Sequence, residues 1–345
     1  MTMCTRVAAR GLYQSLIVAL TIVVLDPRAA VAAPTPVTTC GQVLSLSGDY
    51  ELVGNLTCVG TAILISADNV RFNLAGFFLA GNGTGSGIEV SVVSRVRIRG
   101  GTIRNFGNGI RLDASNNVRV SEMVLVGNGD GVQLHDSDNN RITNSQITTN
   151  VIGVRIEGSS QNVVSDNTIS NNVADPAVSV SAGVFVQNAS TGNAISSNIV
   201  SANGSVGVTL QDSNNNLVEN NTVSNTTAGG GVPSPGITVI GSASARIRGN
   251  TVTGNSFGIE IGPGLGTATD NIVVGNTTNG NSQGILVQNG ATSNTIRMNT
   301  ATGNGFVDLN DANSGCDANG WANNTFVTDF VAGLSDGGPG VGCIQ

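Results

Sequence analysis

The chain has 345 residues, with 22 Asp and Glu against 15 Lys and Arg and a formal charge of −7. It holds no lysine, one histidine, 3% aromatic residues and 47 glycines. An acidic chain of this kind is not expected to take nucleic acid as a partner, which needs a basic field, and regularly spaced Val, Ile and Leu argue against disorder.

Residues 1–33 read as a signal peptide. Arg6 and Arg10 precede the apolar run Leu16–Leu25, and Ala30-Val31-Ala32 is a small-residue cleavage site. The mature chain would then start near Ala33 and be exported, to the periplasm or beyond the cell. No later apolar run is long enough to span a bilayer. Four cysteines remain, Cys40, Cys58, Cys316 and Cys343. Three pairings are open to them; Cys40 with Cys58 and Cys316 with Cys343 is favoured, because the ends of a long solenoid cannot meet.

After an N-terminal cap over 34–65, residues 66–311 divide into about ten coils of a repeat. The clearest are 91–113, 114–135 and 136–157, the last two matching without a gap over 22 residues. Most coils end in Gly-[Ile/Val]-x-[Ile/Leu/Val], as in Ile110/Leu112, Val132/Leu134 and Val154/Ile156. Alternation with period two marks a strand with one apolar face. Further inward columns run through Ile98, Val120 and Ile142, and from Ile103, Leu125 and Ile147 on to Val252 and Val273. Three short strands per coil predict three parallel sheets around one core.

Asparagines mark the corners. One column is Asn167, Asn198, Asn221, Asn250, Asn271 and Asn299; another is Asn128, Asn150, Asn172, Asn203, Asn255, Asn276 and Asn304. Asn tolerates left-handed backbone, and its amide can bond from coil to coil. Extra residues at 173–182, 227–235 and 277–283 predict loops along one edge, which would wall a groove. Residues 312–345 would cap the far end.

The recurring N-x-[Ile/Val]-x-x-N and Gly-Ile-x-Leu elements, with the C-terminal DLNDANSGCDANGWANNTF, resemble exported NosD-like proteins of the pectate-lyase-like superfamily. The resemblance covers nearly all of the mature chain. It implies an all-β, single right-handed parallel β-helix with disulfide-stapled caps, and it leaves the activity open.

Stacking the coils predicts two outward columns. One reads Glu89, Arg111, Gln133, Arg155 and Phe185; the next reads Ser91, Asp113, His135, Glu157 and Gln187. His135 should lie between Asp113 and Glu157, with Arg111 and Arg155 one position along. Arg97, Arg119 and Arg141 form a further column on another sheet. Such a patch suits an anionic polysaccharide. Arg111 and Arg155 would hold a uronate carboxylate and His135 would exchange the C5 proton, with Asp113, Gln133, Glu157, Asp136 and the arginine column binding substrate. The competing reading is a salt-bridge ladder that holds strands in register.

Mannuronan C5-epimerases on this fold carry Asp-Pro-His-Asp/Glu. The corresponding run here is Gln133-Leu134-His135-Asp136, so Gln133 stands where the family has its catalytic Asp. Asp136 and Asp138 with Asp113 imitate a lyase calcium site only loosely; calcium is open to a lyase, but the sequence requires no cofactor. Copper, implied by the NosD label, calls for His and Met donors that are scarce here. The reading is an exported, monomeric β-helix that recognises, and as a lyase or epimerase would process, an anionic polysaccharide. The alternative is a structural or adhesive β-helix without catalysis.

Overall fold

A strand with an apolar residue at every second position can bury only one side, so a chain of such strands must roll around its own core. The computed structural model describes residues 33–173, 180–227 and 233–345. In it the chain forms a right-handed parallel β-helix of about 12 turns. The expected signal peptide lies outside the described residues except for Ala33, as do 174–179 and 228–232 of two expected loops.

The Gly-Ile-x-Leu segments build the front face, a 14-stranded sheet that includes Asn108–Asp113, Asp130–His135 and Ile152–Glu157. The other two faces belong to one 20-stranded sheet. They are joined because Arg97–Arg104 and Arg119–Val126 run unbroken around the corner between them. In the next coil the same path is split into Arg141–Thr143 and Gln146–Thr148. The turns outnumber the ten expected because 34–65 is itself wound. Thr35–Val37 pairs with Tyr50–Leu52, and Gln42–Leu44 pairs with Ile63–Ile65.

The inward columns are sealed. Ile110, Leu112, Val132, Leu134, Val154 and Ile156 are all 0% exposed. The glycine before each pair is there for space. A Cβ on Gly131 would sit 2.5 Å from the Gly153 carbonyl oxygen and 2.6 Å from Ile147 Cγ2.

Asparagine amides tie coil to coil along three corners, one more than expected. Asn198 shows the bonding. Its Nδ2 donates to the Val164 carbonyl (2.8 Å) and to Asn221 Oδ1 (3.0 Å). Its Oδ1 accepts from the backbone N–H and the Nδ2 of Asn167, both at 3.0 Å. The first ladder runs Asn167, Asn198, Asn221, Asn250, Asn276, Asn299 and Asn324. A second runs Asn140, Asn162, Asn193 and Asn216, then resumes at Asn271, Asn294 and Asn319. The third holds Asn128, Asn150, Asn172 and Asn203, then Asn255, Asn281 and Asn304.

Three expectations change here. Asn271 and Asn276 each belong one corner away from their expected column. Val273 pairs with Ile247 on the second face rather than following Val252. Residues 277–283 are no insertion, since Thr277 bridges Thr251 and Thr300 in the ordinary third strand. The extra length of that coil falls instead after Gly262, around Pro263–Thr267, ahead of these residues. The left-handed backbone sits one residue before the ladder, at Asp166 (φ 59), Ser197 (φ 56) and Asn220 (φ 54). The ladder asparagines supply hydrogen bonds rather than unusual dihedrals.

Both disulfides have the expected partners, Cys40–Cys58 and Cys316–Cys343. Pro36, which has no N–H to offer, lies in the first strand of the solenoid. At the C-terminus the buried Asp311 carboxylate accepts from Trp321 Nε1 (2.8 Å), Asn319 Nδ2 (3.1 Å) and the Asn313 backbone (3.0 Å). Ile344, at 0% exposure, joins the core at that end.

Asn198→Ala should lower stability by roughly 1–3 kcal/mol for each group left buried without a partner. Chemical denaturation reads this, and an unchanged midpoint would refute the ladder's role. Reduction should release about 3 kcal/mol of constraint at each end. Hydrogen exchange should then rise first near 40–58 and 316–343; a uniform rise would contradict local stapling.

Candidate functional site

On the front face, parallel register sets the charged residues side by side. Arg111 pairs with Gln133 and Gln133 with Arg155, while Asp113 pairs with His135 and His135 with Glu157. Successive strands lie about 4.8 Å apart, so neighbouring side chains touch. Arg111 Nη2 donates to Asp113 Oδ1 at 2.8 Å. His135 Nδ1 lies 3.1 Å from the same oxygen and 3.7 Å from Asp136 Oδ2. The Arg111 hydrogen bond, more than the His135 contact, holds the Asp113 carboxyl below its ordinary range. Glu157 accepts from Asn188 Nδ2 at 2.6 Å, on the side away from His135.

Arg155 is held elsewhere. Its Nε and Nη2 donate to the two oxygens of Asp130 at 2.7 and 3.1 Å. The guanidinium also lies 5.8 Å from the Phe185 ring centre. Burial pushes the Asp130 carboxyl up, and Arg155 opposes that shift. Asp130 was absent from the expected site. It opens the strand at a position filled in other coils by Asn108, Ile152, Ala182 and Val206, and an acid replacing those residues is the signal that could have found it. The two arginines expected to hold a substrate carboxylate are thus each engaged by a carboxylate of the protein.

Further along this face the outward column is covered. Phe185, Thr209, Thr238, Glu260 and Leu286 are 5–8% exposed although they point away from the core. Val180, at the described end of the first loop, packs on the cluster of Phe185 and Val206. Glu260 accepts from Gln288 Nε2 and, at 3.3 Å, from Thr238 Oγ1. Burial raises its carboxyl above the ordinary value, and these hydrogen bonds only partly offset that.

The second face is different. Arg71, Arg97, Arg119 and Arg141 stack in register, ending where Val163 follows Arg141. Arg71 was outside the expected column. Its Nη2 donates to Asp49 at 2.8 Å. Among the described residues, Arg97, Arg119 and Arg141 are exposed and have no carboxylate within ion-pair distance. Beside them, at the corner, runs a row of Asn69, Arg95, Asn117, Asn139 and Gln161. Together the rows line a groove of about 680 Å³.

A family model described as "Periplasmic copper-binding protein (NosD)" matches residues 59–235 and 177–333. The chain belongs to the NosD family. Its donor set does not suit copper. Among the described residues no three His, Cys, Asp or Glu side chains gather at a metal-holding site. Cys40, Cys58, Cys316 and Cys343 are paired; His135 faces carboxylates, Met123 is buried in the core, and Met298 is exposed many coils away from His135.

Solved structures share the fold. The periplasmic alginate epimerase AlgG is 15% identical, with a TM-score of 0.54, over 81% of this chain and 74% of its own. An exopolygalacturonase from Thermotoga maritima is 9% identical, with a TM-score of 0.58, over 84% and 85%. The Dettilon tailspike protein is 16% identical, with a TM-score of 0.51, over 81% and 61%. No curated protein matches the chain. Among the described residues no helix is long and apolar enough to cross a membrane.

Glu260 has a pH signature. Its folded-state pKa is raised, so its contribution to stability is complete below the ordinary carboxylate range and is lost as pH rises through the folded value. Glu260→Gln should therefore gain on the parent protein between acid and neutral pH. Parallel stability curves for the two proteins would rule out the buried carboxylate as the cause.

Proposed function

We propose that this protein recognises an anionic polysaccharide outside the cytoplasm and that the arginine groove of the second face is where it binds. The observation that carries the reading is the unpaired column. Arg97, Arg119 and Arg141 stand one strand apart, and among the described residues no carboxylate lies within ion-pair distance of them. Like charges held so close repel unless an anion comes between them. A guanidinium offers a carboxylate two parallel hydrogen bonds. The amides of Asn117, Asn139 and Gln161 line the same groove and suit the hydroxyls of a sugar.

Two solved β-helices of this shape are an alginate epimerase and an exopolygalacturonase, names that agree with a polysaccharide partner. Two disulfides and the periplasmic description of the family fit a place outside the cytoplasm. The reading is one of binding rather than turnover. At the front patch, Arg111 and Arg155 are already taken by Asp113 and Asp130, which leaves His135 without a free cation to hold a uronate beside it. The front cluster then acts as the salt-bridge ladder that keeps its strands aligned.

Alginate and polygalacturonate should bind the mature protein in a salt-sensitive way, while a neutral glucan should not. Arg119→Gln and Arg141→Gln should each weaken binding on the order of tenfold at low salt. Equal affinity for the neutral glucan, or unchanged affinity in both variants, would defeat the proposal. Stronger binding of single-stranded DNA would point to a different partner.

A further inference from the structure

The groove has a direction, a length and two chemically distinct walls. Five rungs contribute to it in pairs: Asn69 with Arg71, Arg95 with Arg97, Asn117 with Arg119, Asn139 with Arg141, and Gln161 with Val163. The first member of each pair is a left-handed corner residue, with φ between 56 and 60. The second is the first outward residue of the strand that follows. Two parallel rows result, and both run along the solenoid axis.

The rows differ in what they hold free. In the strand row, Arg97, Arg119 and Arg141 lack ion-pair partners among the described residues, while Arg71 is matched by Asp49. In the corner row, Asn69 Oδ1 accepts from Arg95 Nε at 2.9 Å, and Arg95 also lies 3.7 Å from Asp68. The side chains of Asn117, Asn139 and Gln161 make no hydrogen bond to the described residues. The free cations and the free amides therefore overlap on neighbouring rungs.

We infer that this groove reads a linear polyuronate lengthwise along the solenoid axis, the arginine row taking its carboxylates and the amide row its hydroxyls. The inference rests on the proposed polysaccharide recognition and adds the ligand's orientation, its minimum length and the division of labour between the rows. A pyranose ring is about as long as one strand interval, so a chain along the axis passes roughly one sugar per rung. A chain lying across the sheet would meet one or two rungs only. The charged run ends at Val163 on one side and at the Asp49-matched Arg71 on the other, which limits the stretch that is read. Binding along it is multivalent, each added sugar meeting a group already held in place.

The test is a length series of oligouronates, from monomer to octamer, titrated by calorimetry against the mature protein. Affinity should climb from monomer to tetramer and be level from hexamer to octamer. The salt dependence should grow with length until it reflects about three ionic contacts. Arg97→Gln, Arg119→Gln and Arg141→Gln should weaken the tetramer to similar degrees. Affinity that stops rising at the dimer, or loss in one arginine variant only, would overturn lengthwise binding while leaving polysaccharide recognition intact. Failure of every length to bind would overturn both.

A second arm separates the rows. Asn117→Gly combined with Asn139→Gly keeps the left-handed corners, which glycine adopts freely. This variant should bind oligouronate several-fold more weakly and inorganic polyphosphate as before. Equal loss toward both probes, or loss toward neither, would show that the amide row does not read hydroxyls.

Discussion

The hydrogen bonding of the corner amides constrains everything else in this molecule. A ladder asparagine such as Asn198 donates to a carbonyl of the preceding coil and joins its neighbours above and below, so its polar groups are satisfied without water. In a buried corner, a coil shifted by one residue would orphan several groups at once, each at a cost of about 1–3 kcal/mol. Register is therefore held from coil to coil even where the sequence between corners changes. Hydrophobic columns alone would hold the faces, but not the position of each residue along them.

Held register makes the outer surface a stack of columns, and it forces like beside like. On the front face the protein answers this with its own carboxylates. Asp113 takes Arg111, and Asp130 reaches Arg155 from the adjoining coil. Each arginine of the cluster is thus met by an acid, and Asp136 and Glu157 add further negative charge beside His135. On the second face the same stacking lines up Arg71, Arg97, Arg119 and Arg141, and within that column only Arg71 is matched by an acid among the described residues. A repeat that is uniform in its core thus carries two opposite electrostatic solutions on its exterior.

Membership of the NosD family does not by itself say what such a surface meets. Copper would need soft or imidazole donors gathered in one place, and among the described residues the thiols are spent on the end caps. Solved β-helices of similar shape differ in their named roles, from a tailspike to an epimerase. The winding is common to them while the named roles differ, so the fold alone assigns none.

Much of this was readable from residue order. Period-two alternation, the coil length, the Gly-Ile-x-Leu strand and the end-local cysteine pairs all depend on local spacing, and each appears as expected. Register across a perfect 22-residue repeat was legible for the same reason, which is why Arg111, Gln133 and Arg155 align. Legibility failed where length varied. The residues added after Gly262 displaced the assignments of Asn271, Val273 and Asn276 by one strand, because sequence shows that residues are added but not at which corner they leave the core. It failed also at Arg71, where Phe72 replaces the expected Ile or Val in the inward column. Which arginines stay free was decided only in three dimensions. Asp130 lies 25 residues from Arg155, and their pairing depends on side-chain reach between stacked coils. The sequence by itself determined the winding and the columns; the tertiary structure decided which columns are neutralised, because charge compensation is a matter of distance through space.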